Sequence, residues 1–398
     1  MSDFDQRSLI VHRQLRGKIA VAGKLPVEST EDLSVAYTPG VAEPCRAIAA
    51  DPAQARELTI KRNAVAVVSD GSAVLGLGNI GPLGAIPVME GKCLLFREYA
   101  GIDAWPITLD TQDSAEIIET VRRIAPVFGG VNLEDISAPR CFEIEDALQD
   151  LGIPVFHDDQ HGTAIVLLAA LINAAKVVGK DLRDMKVVIN GVGAAGSAIA
   201  KLLRCVEQDP AVCTPVREIV VCDRKGALHG GREDLNEAKR DLLRFTNKGN
   251  ETGRVQEVLE GADAFVGVSV GGLLEKDDVA RMAEGAIVFA MANPDPEILP
   301  DEARAGGAAV VGTGRSDFPN QVNNVLAFPG IFRGALDAGS RVISPEMKIA
   351  AAHALAGAVK EPTAERVLPS PLDRTVAPLV AKYVCRAAHG ECENLDES

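Results

Sequence analysis

The chain has 398 residues, 47% of them hydrophobic and only 4% aromatic, with a formal net charge of −15. That length suits two domains of about 100–200 residues each, and the acidic balance offers no basic footprint for a phosphate backbone, so no nucleic-acid partner is expected. Met1–His12 has no apolar signal core and no run reaches the roughly 20 apolar residues of a membrane span, which predicts a cytoplasmic protein without a membrane partner.

Residues 1–36 read as a helical arm with polar turns. Ala64–Gly71 reads as a buried strand entering a turn, and the glycine-rich Leu75–Gly81 follows it. Trp105–Asp110 predicts a further strand and Ser114–Ile124 a helix. Ile153–Phe156 is apolar and predicts a strand running into His157–Thr163, where Asp158–Gly162 is expected to be a loop. These elements compose an N-terminal α/β catalytic domain over residues 1–160. From Thr163 to about Gly179 an apolar helix opens a second domain, residues 161–398. Short apolar runs then recur at Lys186–Asn190, Glu218–Asp223, Ala264–Val270, Ala286–Ala292 and Ala308–Gly312. Their alternation with helical or loop stretches is the signature of parallel βαβ units. From about Ile343 the chain reads as terminal helices, broken at Pro362, Pro369, Pro371 and Pro378. The eight cysteines are scattered with no Cys-x-x-Cys pair and are expected to be reduced thiols, many of them in the core.

The run Val187–Gly196 carries glycines at 191, 193 and 196 between a strand and the apolar helix Ser197–Leu203. Tight turning, close approach to a pyrophosphate and helix–strand packing each require a missing side chain, and the context predicts a Rossmann-like, doubly wound dinucleotide domain. Gly191, Gly193, Ala194, Ala195 and Gly196 are the expected contacts. Gly76, Gly78 and Gly81 nearly repeat the spacing but read as a turn. Asp223 ends the next strand, where an acid would bind the ribose 2′-hydroxyl of NAD. Its distance from Gly196 exceeds the usual ~20 residues, which an insertion around Asp209–Pro215 explains. Arg224 and Lys225 follow directly and could hold the 2′-phosphate of NADP instead, so both dinucleotides remain open.

Acidic residues gather ahead of that fingerprint, Glu134 and Asp135 in one segment, Asp158 and Asp159 in another. Adjacent carboxylates repel, and a fold that collects them needs a cation; hard oxygen ligands favour Mg2+ or Mn2+. Asp158–Asp159 follows a strand, where ligand sites of α/β sheets lie. His157 and His161 flank the acids and raise a zinc alternative, but local hydrogen bonding is the expectation for both.

At these residues the chain resembles a malic enzyme of the compact bacterial type, over nearly its full length. The resemblance is carried by Tyr37–Ala42, Leu75–Gly81, Glu90-Gly91-Lys92, Asn132–Asp135, His157–Thr163, Ala292-Asn293-Pro294 and Asn323–Gly330 in that order. It implies metal ligation by Glu134, Asp135 and Asp159. It also implies Lys92 as general base with Asp158 beside it, Tyr37 as general acid, and substrate or nicotinamide contacts from Lys92, Asn293 and Asn324. Malate, oxaloacetate and pyruvate are the implied small molecules, and a homodimer with exchanged N-terminal arms the implied assembly. One departure stands out. Larger members carry an arginine two residues after the Asp-Gly turn to grip the substrate carboxylate, and Ala73 occupies that place here.

Malate cannot lose its β-carboxylate until C2 becomes a carbonyl able to take up the electron pair, so oxidation is expected before decarboxylation. A lysine base must be neutral, which requires its pKa to fall below the reference ~10.4. Malolactic conversion is the nearest alternative. An amino-acid dehydrogenase would need no three-carboxylate site, and a dinucleotide-sensing module would need neither Lys92 nor the acids.

Overall fold

The computed structural model describes residues 3–206 and 213–391. Ala64–Ser69 is buried at every position, the pattern of a parallel strand covered on both faces. This strand, β1, pairs in parallel with β2 (Asp103–Thr108) and β3 (Gly130–Leu133), and β4 (Val155–His157) joins the far side of β3, giving the order β2-β1-β3-β4. The second sheet holds β5 (Lys186–Asn190), β6 (Glu218–Asp223), β7 (Gly226–Ala227), β8 (Ala264–Gly267), β9 (Ile287–Ala290) and β10 (Val310–Thr313). Its order is β10-β9-β8-β5-β6-β7, parallel except for β7. The β5 strand lies between β6 and β8, so successive crossovers leave it in opposite directions. That is the switch point of a doubly wound sheet. The fold is thus two mixed α/β units with parallel sheets.

The arm comprises α1 (Asp3–Leu15) and α2 (Thr30–Ala36), with α3 (Ala42–Ala50) beyond; α2 and α3 bury no residue. Around the first sheet lie α4 (Gly81–Ala100), α5 (Ser114–Ile124) and α6 (Arg140–Leu148). Next comes α7 (Asp158–Val178), which departs from expectation. It begins at Asp158, so the segment expected to be a loop is its first turn, and at 21 residues it is long and apolar enough to cross a membrane. Two thirds of its apolar window is buried inside the protein, against α8 (Ala194–Leu203) and α10 (Pro345–Gly357), as a core helix.

The C-terminal helices α9 (Phe328–Ala338), α10 and α11 (Val376–Ala388) pack together, and α9 lies against α4 of the first sheet. Phe96 of α4 meets Phe328 and Phe332 of α9 edge-on at 4.7 and 5.3 Å, and Phe332 meets Phe156 of β4 at 5.9 Å. Pro378, expected as a break, sits in the first turn of α11, where a missing N–H costs no helical bond. Cys205 and Cys213 form a disulfide, with their Cα atoms 5.9 Å apart, contrary to the expectation of free thiols throughout. Most of the expected insertion Asp209–Pro215 lies outside the described residues.

Replacing Phe96 with alanine should lower unfolding stability by about 3–5 kcal/mol, because it opens a cavity where α4 and α9 meet. A urea titration checks this, and an unchanged midpoint would show that the aromatic cluster does not tie the two units together.

Candidate active site

Register places the acids. Leu133 of β3 is paired with His157 of β4, so the residues that follow each strand emerge side by side at the C-terminal edge of the sheet. Glu134, Asp135 and Asp159 each offer an oxygen within 4.8 Å of the others. Asp135 adopts φ +54°, uncommon for a residue with a side chain, and its N–H donates to Asp159 Oδ2 at 2.8 Å. Asn132 donates to Glu134 Oε2 at 2.8 Å.

These carboxylates are poorly neutralised. Burial, then the charges of Asp159 and Glu134, push Asp135 up to about 9. Burial likewise lifts Glu134 to about 7 and Asp159 to about 6. Among the described residues, Asp135 Oδ2 is buried without a hydrogen-bond partner. An orphaned buried oxygen among three converging acids fits a divalent cation with hard oxygen ligands.

Lys92 projects from α4 into the same cluster. Its Nζ lies 2.6 Å from Asp158 Oδ2, 2.9 Å from Glu134 Oε1 and 4.2 Å from the centre of the Phe328 ring. Burial pulls its pKa down, but Asp158, Glu134 and Asp159 outweigh burial and raise it above the ordinary lysine range. The expected fall is therefore not found, since three acids face this one ammonium. A cation held by those acids is the charge that would oppose them. Gly162 is required one turn into α7: a Cβ there would lie 1.9 Å from Asp158 Oδ1 and 3.1 Å from Asn324 Cβ. Asn324 is thus brought against the Asp158 turn.

Behind the acids is a group that sequence reasoning missed. Glu145 of α6 is buried and accepts from the His157 N–H at 3.1 Å and from Gln160 Nε2 at 3.0 Å. His161 Nε2 lies 3.0 and 3.1 Å from its two oxygens, and Lys348 Nζ lies 3.2 Å from His161 Nδ1. Burial pushes the Glu145 carboxyl up, but the His161 ring, with Lys348 behind it, more than offsets this and holds it at about 2. Local hydrogen bonding is observed for His161. Among the described residues the buried His157 ring nitrogens find no well-formed hydrogen bond, with Nε2 4.0 Å from Asp159 Oδ2.

In the second sheet β5 leads into Gly191 (φ +130°), and α8 starts at Ala194. A Cβ on Gly196 would sit 2.0 Å from the Gly191 carbonyl oxygen, so only glycine lets α8 pack there. Space beside Gly193 is open, and among the described residues no side chain caps the helix, so its first N–H groups, those of Ala194, Ala195 and Gly196, are the kind of uncapped terminus that binds phosphate. Asp223 is placed as expected beside the switch point but is not free. Arg232 holds its two oxygens at 2.8 and 3.0 Å, Lys239 reaches one at 2.6 Å, and the Lys225 N–H donates at 2.9 Å. Those four donors fill the lone-pair directions of a carboxylate. Nothing in the sequence pairs residues 9 and 16 positions further on with Asp223.

Asn293 is exposed after β9, and the Leu75–Gly81 loop of the first unit comes against it: a Cβ on Gly76 would lie 2.7 Å from the Asn293 carbonyl oxygen. Tyr37 closes α2 and is 67% exposed, and among the described residues those touching Lys92 Nζ are Glu134, Asp158 and Phe328. Arg140 stands near Ala73 but is fully engaged, with Asp70 and the Gln112 carbonyl on Nη1 and Ser72 and Ser137 on Nη2.

Residues 16–117 match the family described as the malic enzyme N-terminal domain, and residues 160–389 match the malic enzyme NAD-binding domain. The bifunctional malic/malolactic enzyme of Bacillus subtilis is 55% identical over 387 residues, covering 96% of this chain and 92% of that protein. The NADP-dependent malic enzyme of Halomonas elongata is 47% identical, covering 96% and 93% respectively. The crystal structure of the NAD-dependent malic enzyme of Thermotoga maritima superposes with a TM-score of 0.90 at 48% identity, over 95% of this chain and 98% of that one.

An Asp159→Asn variant should lose Mn2+ binding, measured by the electron paramagnetic resonance signal of free Mn2+. Wild-type affinity in that variant would remove Asp159 from the ligand set.

Proposed function

Taking as premise that the chain belongs to the malic enzyme family, we propose that it oxidises (S)-malate with NAD or NADP and releases CO2 to leave pyruvate. The observation that carries this reading is the buried contact of Lys92 with Asp158 and Glu134 at the edge of three converging carboxylates. Glu134, Asp135 and Asp159 would hold Mg2+ or Mn2+, and the Gly191–Gly196 turn would hold the dinucleotide. When bound, the dinucleotide supplies a hydride acceptor, and the cation supplies positive charge beside the C2 oxygen.

Once the negative charge of the acids facing it is offset, Lys92 can be neutral and would take the proton of the C2 hydroxyl, with Asp158, 2.6 Å away, fixing where its Nζ points. Once C2 is a carbonyl, the C3–carboxylate bond can break with its electron pair drawn toward C2. Tyr37 then returns a proton to C3, as a phenol can at neutral pH. Asn324, packed against the Asp158 turn, and Asn293, facing the first unit's loop, would contact substrate or nicotinamide. With Arg140 engaged, they share the task of holding the substrate carboxylate with the metal.

The arm supports a homodimer. Phe4, Leu9, Ile10, Leu15, Val21 and Val35 are exposed on it, apolar surface that a second copy could cover. Its burial in a second copy would also supply the surroundings that Tyr37 lacks in one chain. Light scattering should give about twice the 41.9 kDa chain mass, and a monomer at working concentration would contradict the assembly. The name of the Bacillus subtilis relative favours malolactic conversion as a second reading; lactate formed from malate without net NADH would identify it.

Lys92→Ala should abolish malate oxidation while sparing much of the decarboxylation of added oxaloacetate, since only the first step needs a base at C2. Equal loss of both activities would contradict that role.

A further inference from the structure

The turn that carries Asp158 and Asp159 has an anchor outside the ligand set. It follows β4 directly, and His157, the residue before the helix, contributes no side-chain cap. The first N–H groups of a helix have no intrahelical partner. Glu145 reaches this turn from α6 and takes three different donors from it: the backbone of His157, the amide of Gln160 and the ring of His161. Those residues surround Asp158 and Asp159 in sequence, so fixing them fixes both acids. Lys348 of α10 closes the chain on the far side of His161, linking the turn to the C-terminal helices.

We propose that Glu145 is a positioning residue: by binding the His157–His161 turn it sets Asp159 at the metal and Asp158 at Lys92, without touching either itself. This rests on the reading of Glu134, Asp135 and Asp159 as metal ligands. Groups that hold ligands in place commonly govern metal affinity by 10–100-fold. Glutamine at 145 keeps the volume but turns an N–H group toward donors, whereas aspartate keeps the charge with a shorter reach.

The test uses the full-length protein, with Mn2+ affinity read by paramagnetic resonance, NADH affinity by nicotinamide fluorescence, and melting temperature as a control. Glu145→Gln should weaken Mn2+ by roughly tenfold with NADH affinity unchanged, and Glu145→Asp should recover part of the loss. Unchanged Mn2+ affinity in Glu145→Gln would overturn the proposal. So would a joint fall of Mn2+ affinity, NADH affinity and melting temperature with no recovery in Glu145→Asp. If Glu145→Gln does not fold, His161→Phe, which removes one donor from Glu145, is read the same way. Wild-type protein that binds no Mn2+, or binds it equally in Asp159→Asn, would overturn the ligand reading itself and this inference with it.

Discussion

Four carboxyl groups and one ammonium share the space at the C-terminal edge of β3 and β4, and their charge does not balance. Glu134, Asp158 and Asp159 face a single Lys92, and Asp135 adds a fourth acid to the same cluster. Burying charge without compensation costs several kcal/mol per ion, so the cluster either binds protons or binds a cation. The raised carboxyl pKa values describe the first state, and the orphaned Asp135 oxygen points to the second. Lys92 responds to the same balance: its basicity is set by how much negative charge its neighbours leave facing it. Metal affinity and base strength are therefore two readings of one electrostatic sum.

The rest of the architecture serves to hold that sum in place. Parallel pairing of β3 with β4 brings two separate acidic segments together, and α4 delivers Lys92 to them. Across from them, the second sheet presents its switch point, with Gly191–Gly196 cleared of side chains. Contact between the Leu75–Gly81 loop and Asn293 places the two C-terminal edges face to face. The Phe96, Phe328 and Phe332 cluster ties the C-terminal helices back onto the first unit. Phe328 also lies against the Lys92 ammonium, so the same packing that joins the units dries the site.

Features carried by local pattern were legible in the sequence. Lys186–Asn190, Glu218–Asp223 and Ser114–Ile124 have the bounds that their apolar periodicity predicts, and the glycine triplet sits where strand meets helix. Adjacent acids after an apolar run were visible for the same reason. What depended on long-range geometry was not. The helical start of α7 was hidden because Asp158–Gly162 has the composition of a loop and becomes helical only when Glu145 and the tertiary packing satisfy its first turn. The pairing of Asp223 with Arg232 and Lys239, the Cys205–Cys213 bond and the shift of Lys92 upward all depend on which groups meet in space. The short strand Gly130–Leu133 was missed because four residues show no period.

The central claim is that Glu134, Asp135 and Asp159 converge on one cation beside Lys92. Anomalous diffraction from crystals soaked in Mn2+ tests it most directly. A single strong peak bounded by an oxygen from each of the three residues is the expected result. A peak elsewhere, or none with the three carboxylates ordered, would contradict the account.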